Sequence, residues 1–326
     1  MAIDKYSISI IIPTMNGKEL LERFFPSVIE SCNFYNGKSE IILVDNGSTD
    51  GTEKFIYKNY PDVKFIRFSS NKGFSTACNT GVKEAKGDII VLLNNDMLVE
   101  KDFLVFLVEH FDDKKVFGVR PGLKWLNDKS DFDFNSFFIG IRWKNGMIEF
   151  PMLKIENIEK PFYTPYISGG AGAFDREKWL EIGGFDESFN PVYWEDVDIS
   201  YRAWKRGWIL LYEPRSHVYH LQGSTIKKIF NQNYIQMISE KNRYFFIWKN
   251  ISNKNFLLYH LFFIPIKILS AIFPKYSYRI KGFLLALKGL RKIRKNKKKE
   301  INFIVKNDQE IFNLFSYIMK RAKPWI

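Results

Sequence analysis

Residues 89–96 read I-I-V-L-L-N-N-D, an unbroken apolar run entered through Gly87-Asp88 and ended by three polar side chains. A run that short and apolar at every position is a strand covered on both faces, as strands of parallel sheets are. Three comparable runs precede it, S-I-S-I-I-I-P at 7–13, E-I-I-L-V-D at 40–45 and one at 63–68. The intervals between them carry helical spacing. Leu20, Leu21, Phe24, Phe25 and Val28 share one face of 18–32, with a kink expected at Pro26. A helix opens near Thr52 behind the turn-rich N-G-S-T-D-G-T, another reaches Ala85, and 101–111 supplies the helix after the fourth strand. Strands alternating with helices at a spacing of about 25 residues predict an α/β class, doubly wound through about Arg120, because each right-handed crossover needs a helix. Ligands of such sheets bind beyond the carboxyl ends of the strands. Asp45 and Asp96 stand there. The other reading of Asp96 is a helix cap, since 99–111 reads helical, and that of Asp45 is an Asx turn with Asn46-Gly47.

The second half is less regular. Residues 123–165 scatter aromatic, Gly and Pro residues without period and predict mixed strand and loop. A short helix is expected at Arg176–Ile182, capped by Asp175 and stopped by Gly183-Gly184. A longer one follows in Y-W-E-D-V-D-I-S-Y-R-A-W-K-R-G-W, where Val197, Tyr201, Trp204 and Trp208 form a buried face, Gly207 ends the helix, and Asp198 and Arg202 are spaced as an ion pair.

The chain is +13 overall, but residues 226–326 hold 22 Lys+Arg against 4 Asp+Glu, and the preceding 225 hold 27 against 32. The basicity therefore belongs to the end of the chain. Within it, residues 256–273 contain no acid but include His260, Pro265, Lys267 and Ser270, which favours an interfacial or re-entrant segment over a crossing. Ile280, Phe283, Leu284, Leu287, Leu290 and Ile293 follow as a helical face with cations around it, the pattern of a helix lying in the plane of an anionic membrane. The alternative is an ordinary helix packed on the domain. Cations beside an apolar face, with no nucleic-acid recognition motif, argue against a nucleic-acid partner. Two sparse cysteines, Cys32 and Cys78, and an N-terminus without an apolar stretch point to a reducing compartment and no secretory signal. The expected location is cytoplasmic, peripheral to the inner face of the cell membrane.

Four ordered motifs in the first half, I-I-I-P-T-M-N at 10–16, V-D-N-G-S-T-D-G-T at 44–52, N-K-G-F-S-T-A-C-N-T-G at 71–81 and G-D-I-I-V-L-L-N-N-D at 87–96, are followed by G-G-F-D-E-S-F at 183–189 and W-E-D-V-D-I-S-Y-R at 194–202. Together they resemble the family 2 glycosyltransferases of the GT-A fold, over about residues 7–224, with a bias toward the rhamnosyltransferase-like branch. The resemblance implies a GT-A domain over 1–225, with a nucleotide-sugar half at 1–120 and an acceptor half at 121–225, and a basic helical region at 226–326. It implies an inverting transfer from a UDP- or dTDP-sugar to a saccharide hydroxyl, with a lipid-linked glycan or surface polysaccharide as acceptor. A protein acceptor and a non-catalytic sugar-nucleotide binder are the competing readings. Pro13, Thr14, Asn16, Asp45, Asn71, Gly73, Asn79, Asn94 and Asn95 are the implied donor-binding residues. Asp96 and His220 are the implied ligands of Mg²⁺ or Mn²⁺, Asp196 the general base with Glu195 as its alternative, and Gly169, Gly170 and Trp194 the acceptor side. Asn94 stands where the family has the first acid of an Asp-x-Asp motif. Its amide still offers a cation an oxygen but removes one negative charge.

Overall fold

The computed structural model describes residues 5–126, 137–154, 158–221, 230–321 and 323–324. Four strands, β1 (Ile8–Thr14), β2 (Ser39–Asp45), β3 (Lys64–Arg67) and β4 (Ile89–Leu93), pair in parallel in the order β3-β2-β1-β4. Helices α1 (Lys18–Phe34), α2 (Thr52–Asn59) and α3 (Phe74–Glu84) connect them. Alternate side chains of one strand enter different cores, as the pleat requires. Ile8, Ile10 and Ile12 of β1 join α1 and α2 on one face, while Ile11 joins α3 on the other.

After β4 the expected helix is delayed. Met97–Val99 forms a short strand, β5, and helix α4 begins only at Phe103 (Phe103–Val108). Asp96 therefore precedes a strand, and its reading as a helix cap falls. The sheet then continues with β6 (Val116–Trp125). Small hairpin pieces follow, namely β7 (Phe137–Ile139), β8 (Arg142–Lys144), β9 (Met147–Glu149), β10 (Met152–Lys154) and β11 (Phe162–Tyr163), as the irregular pattern of 123–165 leads one to expect. Next come β12 (Ala171–Asp175), α5 (Arg176–Ile182), α6 (Glu195–Lys205) and β13 (Ile209–His220). The full order β11-β13-β6-β12-β4-β1-β2-β3 is mostly parallel, with β12 and β11 antiparallel and β5 paired antiparallel to β13. Asp175 caps α5 by accepting from Lys178 N at 3.0 Å, and Gly183 ends it in the left-handed region, both as expected.

The C-terminal helices do not form a separate layer. Tyr244, Phe245, Phe246 and Ile247 of the helix Gln232–Asn250, Ala286 and Ile293 of the helix Tyr278–Glu300, and Phe315 of the helix Asp308–Arg321 are buried in one core with α3, α5 and α6. Among the described residues, this core is shared by elements before residue 222 and helices after residue 230.

Candidate active site

The topology itself assembles the site. β1 and β4 are parallel neighbours, with Ile11 opposite Leu92, so Pro13-Thr14 and Asn94-Asn95-Asp96 leave the same edge of the sheet. β12 runs the other way, with Ala171 opposite Leu93, which carries Gly169 and Gly170 to that edge from the opposite direction. β13 ends there too, and His220 lies opposite Met97 of β5, beside Asp96. These elements enclose a cleft of about 490 Å³, lined among others by Pro13, Thr14, Asn71, Asn94, Asn95, Asp96, Gly169, Gly170, Glu195, Asp196 and His220.

The wall nearest β1 is held by amide groups. Asn95 Nδ2 donates to Thr14 Oγ1 at 2.7 Å, and Asn94 N donates to Gly170 O at 2.8 Å. A Cβ on Gly170 would lie 2.8 Å from Asn94 Nδ2, so a larger residue there would displace the Asn94 amide that faces the cleft. Asn71 Oδ1 accepts from Asn46 Nδ2 and from Gly73 N, both at 2.9 Å, and closes the turn before α3.

Asp96 Oδ1 stands 3.2 Å from His220 Nε2, and the His220 ring lies 5.0 Å from that of Trp125. Adjacent ligands of an octahedral cation at about 2.1 Å stand about 3 Å apart, so this oxygen and nitrogen have the separation of a cis ligand pair. Among the described residues, no third His, Cys, Asp or Glu joins them. A hard cation bound here would complete its shell from amide oxygens, water and substrate phosphate, which is how Mg²⁺ is commonly held. The donor set fits on those terms.

Across the cleft, Glu195 and Asp196 open α6. A helix start favours ionised acids, by roughly 0.3–1 kcal/mol. Burial acts the other way and is stronger, since it moves carboxyl groups by up to about 3–5 pKa units. Burial pushes Glu195 well above the usual carboxylate range, with the charge of Asp196 adding to the shift, and burial raises Asp196 as well. The two are not equivalent. Asp196 accepts from Val197 N at 2.8 Å and from Gly169 N at 3.3 Å, bonds that favour its ionised form, whereas Glu195 Oε2 has no hydrogen-bond partner among the described residues. Of the two, Asp196 has the contacts that favour ionisation, and Glu195 feels the stronger upward push.

Five implied site residues lie elsewhere. Asp45 is fully buried behind the wall, where Oδ1 accepts from Ser48 N at 2.9 Å and from the Ser48 hydroxyl. It ties its own turn, in the manner of the alternative reading, and its neighbour Asn46 reaches the cleft instead. Asn16 Oδ1 accepts from Thr49 N at 2.8 Å and joins two loops. Asn79 exchanges hydrogen bonds of 2.9 Å with Phe185 N and O, clamping α3 to the turn after α5, because its position on α3 turns it from the cleft toward that turn. Trp194 packs against Phe246, centroids 5.5 Å apart, and donates to Ser239 Oγ at 3.3 Å, so its ring faces the C-terminal helix and not the cleft. Gly73 caps α3 at φ +91°, where a side chain would meet Asn190.

Trp125, Ser168 and Tyr193 line the cleft without having been singled out. Trp125 carries a usable signal only once β6 and β13 are known to be paired, since it lies opposite His220. Tyr193 precedes the acid pair with φ +68°, followed by Trp194 at φ +77°, an uncommon conformation for bulky residues that the surrounding packing must hold. The Q-G-S-T run at 222–225, next to His220, lies outside the described residues.

The model of glycosyl transferase family 2 matches residues 9–179, more than half of the chain. A poly-β-1,6-N-acetyl-D-glucosamine synthase of Staphylococcus aureus is 26% identical over 232 residues, covering 69% of this chain and 52% of that protein. Polypeptide N-acetylgalactosaminyltransferase 8 of Drosophila melanogaster is 29% identical over 196 residues, 56% of this chain and 32% of that protein. The chain thus spans about half the length, or less, of the curated relatives it matches. Among solved structures, GalNAc-T7 with UDP, GalNAc and Mn²⁺ superposes with a TM-score of 0.65 at 19% identity, over 97% of this chain and 57% of that one. The mannosyltransferase PcManGT of Pyrobaculum calidifontis, in complex with GDP-Man and Mn²⁺, gives 0.55 at 18% identity over 91% and 86%. These likenesses show the GT-A fold, and the sequence match shows the lineage: the chain belongs to glycosyl transferase family 2.

Proposed function

We propose that the protein transfers a sugar from a UDP- or dTDP-sugar to a hydroxyl of a saccharide acceptor, a lipid-linked glycan or surface polysaccharide, by a single displacement with inversion. The observation that carries this reading is the placement of two unlike acid sites across one cleft, Asp96 with His220 on one side and the buried Glu195-Asp196 pair on the other. Pro13, Thr14, Asn71, Asn94 and Asn95 form the donor wall. Asp45, fully buried with Oδ2 3.6 Å from Arg67 Nε, supports that wall from behind by holding the turn that carries Asn46 into the cleft. Asp96 and His220 would hold Mg²⁺ or Mn²⁺, which when bound stabilises the charge that develops on the leaving diphosphate. Asp196 takes the proton of the acceptor hydroxyl as its oxygen attacks the anomeric carbon. The bond from that carbon to the diphosphate oxygen breaks, and its electron pair leaves with the nucleotide. Burial of Glu195 beside Asp196 disfavours a second negative charge that would oppose the incoming alkoxide.

A screen of nucleotide sugars for thermal stabilisation with and without Mg²⁺ or Mn²⁺ identifies the donor before any acceptor is known. A ligand at about 100 times its Kd adds about 2.7 kcal/mol. Stabilisation by UDP- or dTDP-sugars that disappears in Asp96→Ala supports the assignment, and stabilisation unchanged in Asp96→Ala removes the metal role. The amide at Asn94 favours one competing reading, a non-catalytic binder. Donor-dependent stabilisation without hydrolysis or transfer, across a panel of saccharide and protein acceptors, would decide for it.

A further inference from the structure

The last third of the chain carries an apolar surface that the cleft does not explain. In the helix Lys254–Leu269, the residues Leu258, Leu261, Phe262, Pro265, Ile266 and Leu269 recur at helical spacing, and every one is exposed. Leu258 is 65%, Phe262 67% and the following Ile272 76% exposed. The opposite side of this helix is anchored. His260 is buried, with Nδ1 2.6 Å from Gly146 O and Nε2 accepting from Trp248 Nε1 at 3.1 Å. The stretch Lys254–Ile272 is apolar and long enough to cross a membrane, with a mean hydropathy of 1.6. A crossing would pull His260 out of a seat in which both ring nitrogens are satisfied, and would leave the Gly146 carbonyl and the Trp248 indole without them.

The next helix, Tyr278–Glu300, adds to the same kind of surface by a different route. It packs on Gln232–Asn250 through the buried Gly282, Ala286 and Ile293. A Cβ on Gly282 would lie 2.9 Å from Met237 O, and one on Gly289 would lie 2.2 Å from the Phe245 ring. Small residues thus fix which side faces inward. Ile280, Leu284 and Leu287 are left outward and exposed, a different face from the single stripe 280–293 that the sequence suggests, because Ile293 belongs to the buried seam. Residues 254–299 contain 13 Lys+Arg and no Asp or Glu.

We propose that these two helices form a docking face for an anionic lipid bilayer, on which the protein lies with Lys254–Leu269 in the plane of the interface. The charge selects the partner. A second copy of this chain would bring its own exposed cations, Lys281 and Lys288 among them, against the first, whereas a bilayer of anionic lipid supplies the opposite charge together with an apolar layer for the leucine and phenylalanine side chains. This surface stands apart from the reaction assigned to the cleft, and its test does not depend on turnover.

The test is flotation of the full chain with vesicles of phosphatidylcholine alone and of phosphatidylcholine with about a third phosphatidylglycerol, at about 0.1 M and 0.5 M salt. The expected result is flotation with the anionic vesicles at the lower salt, weakened at the higher salt, and at least about tenfold less partitioning for Leu261→Asp/Phe262→Asp. Both positions are exposed, so an unchanged melting temperature shows that the variant folds. A second variant, Lys281→Glu/Lys288→Glu, is expected to lose the preference for anionic over neutral vesicles. Wild type that stays at the bottom of the gradient with both vesicles, or that floats as well as the aspartate variant, overturns the proposal. So does a wild-type dimer in sedimentation velocity that the aspartate variant dissolves, which assigns the face to a second copy.

Discussion

Asp196 and Asp198 are two residues apart in the first turns of α6, and their surroundings differ in kind. Asp196 faces the cleft, meets two backbone N–H groups and, among the described residues, no cation, and shares a buried corner with a second acid. Asp198 faces the interior, where Arg202 Nε and Lys249 Nζ both donate to Oδ2 at 2.8 Å and Asn250 Nδ2 donates to Oδ1 at 2.8 Å. Its partners are themselves paired. Arg202 donates to Ile182 O and Gly184 O at 2.8 and 2.7 Å, and Lys249 donates to Asp186 at 2.7 Å. Burial raises the Asp186 carboxyl, but the charge and hydrogen bond of Lys249 and the bonds from Ser188 outweigh it and hold the group well below the usual range. One face of a helix start therefore keeps buried acids uncompensated, and the other satisfies them. An uncompensated buried acid costs stability and gains basicity, which is the expected mark of a reacting group, while a compensated one is structural.

The largest expected effect breaks the comparison at its reactive side. Asp196→Asn is expected to lower kcat by about 10²–10⁴-fold, the range for loss of a general base, with melting temperature and nucleotide-sugar stabilisation retained. Steady-state kinetics beside a thermal shift with the donor measure both. Full activity in Asp196→Asn removes the base assignment and moves it to Glu195.

Lys249→Met tests the structural side. It leaves Asp186 and Asp198 without their shared ammonium in a buried site, an imbalance that costs about 3–5 kcal/mol. Urea unfolding is expected to show the loss as a lower midpoint with the same slope, and kcat per folded molecule is expected to stay within a few-fold. If kcat falls as far as in Asp196→Asn, the two faces are not separable.

This division was only partly legible in the sequence. The four parallel strands were, because β1, β2 and β4 are largely buried runs bounded by turns and β3, though only partly buried, keeps their spacing, and an i,i+4 acid–base spacing announced Asp198 and Arg202. The acid pair came with its motif, but spacing holds nothing about desolvation, and at a helix start it points to a lowered pKa. Long-range pairing hid the rest. β12 lies in a glycine-rich stretch that reads as turn, β5 has only three residues, and β13 carries Glu213, Arg215 and His217 within an apolar pattern. Without β13 and β5 side by side, His220 reaches Asp96 only by analogy. Trp194 illustrates the converse, since an aromatic beside an acid pair suggests a sugar platform, and only the helix Gln232–Asn250 shows that it packs inward.

That helix also joins the two regions. The Asn242 amide, fully buried, lies 2.6 Å from Phe189 O, 2.9 Å from Val192 O and 2.8 Å from Tyr193 O, the carbonyls of the segment that leads into Glu195. Asn242→Ala leaves those acceptors without their donor, at a cost of about 1–3 kcal/mol. Because the freed segment sets the position of Asp196, kcat is expected to fall about tenfold as well, a result intermediate between the two variants above. Unchanged kcat in the folded variant would show that the segment holds its positive-φ geometry without Asn242.

The smallest effect is the most specific to the comparison, because it has the opposite sign to an ordinary core substitution. Glu195 has a folded-state pKa raised by burial and by Asp196, so its contribution to stability is fully present below the unfolded value of about 4.3 and is lost as pH rises through the folded value. Glu195→Gln keeps the shape and removes the group that must either ionise in the interior or hold its proton against the solvent. Its melting temperature is expected to exceed that of wild type by about 2–4 °C at pH 8, a gain of about 1 kcal/mol, and the gap is expected to close toward pH 5. Asp186 responds in the other direction. Its lowered pKa gives stability that is present above the unfolded value and lost as pH falls, so acid destabilises both proteins alike and does not mimic the Glu195 effect. A Glu195→Gln variant less stable than wild type at pH 8 would mean that a cation or donor satisfies Glu195 in solution, and the contrast between the two faces of α6 would lose one of its two cleft acids.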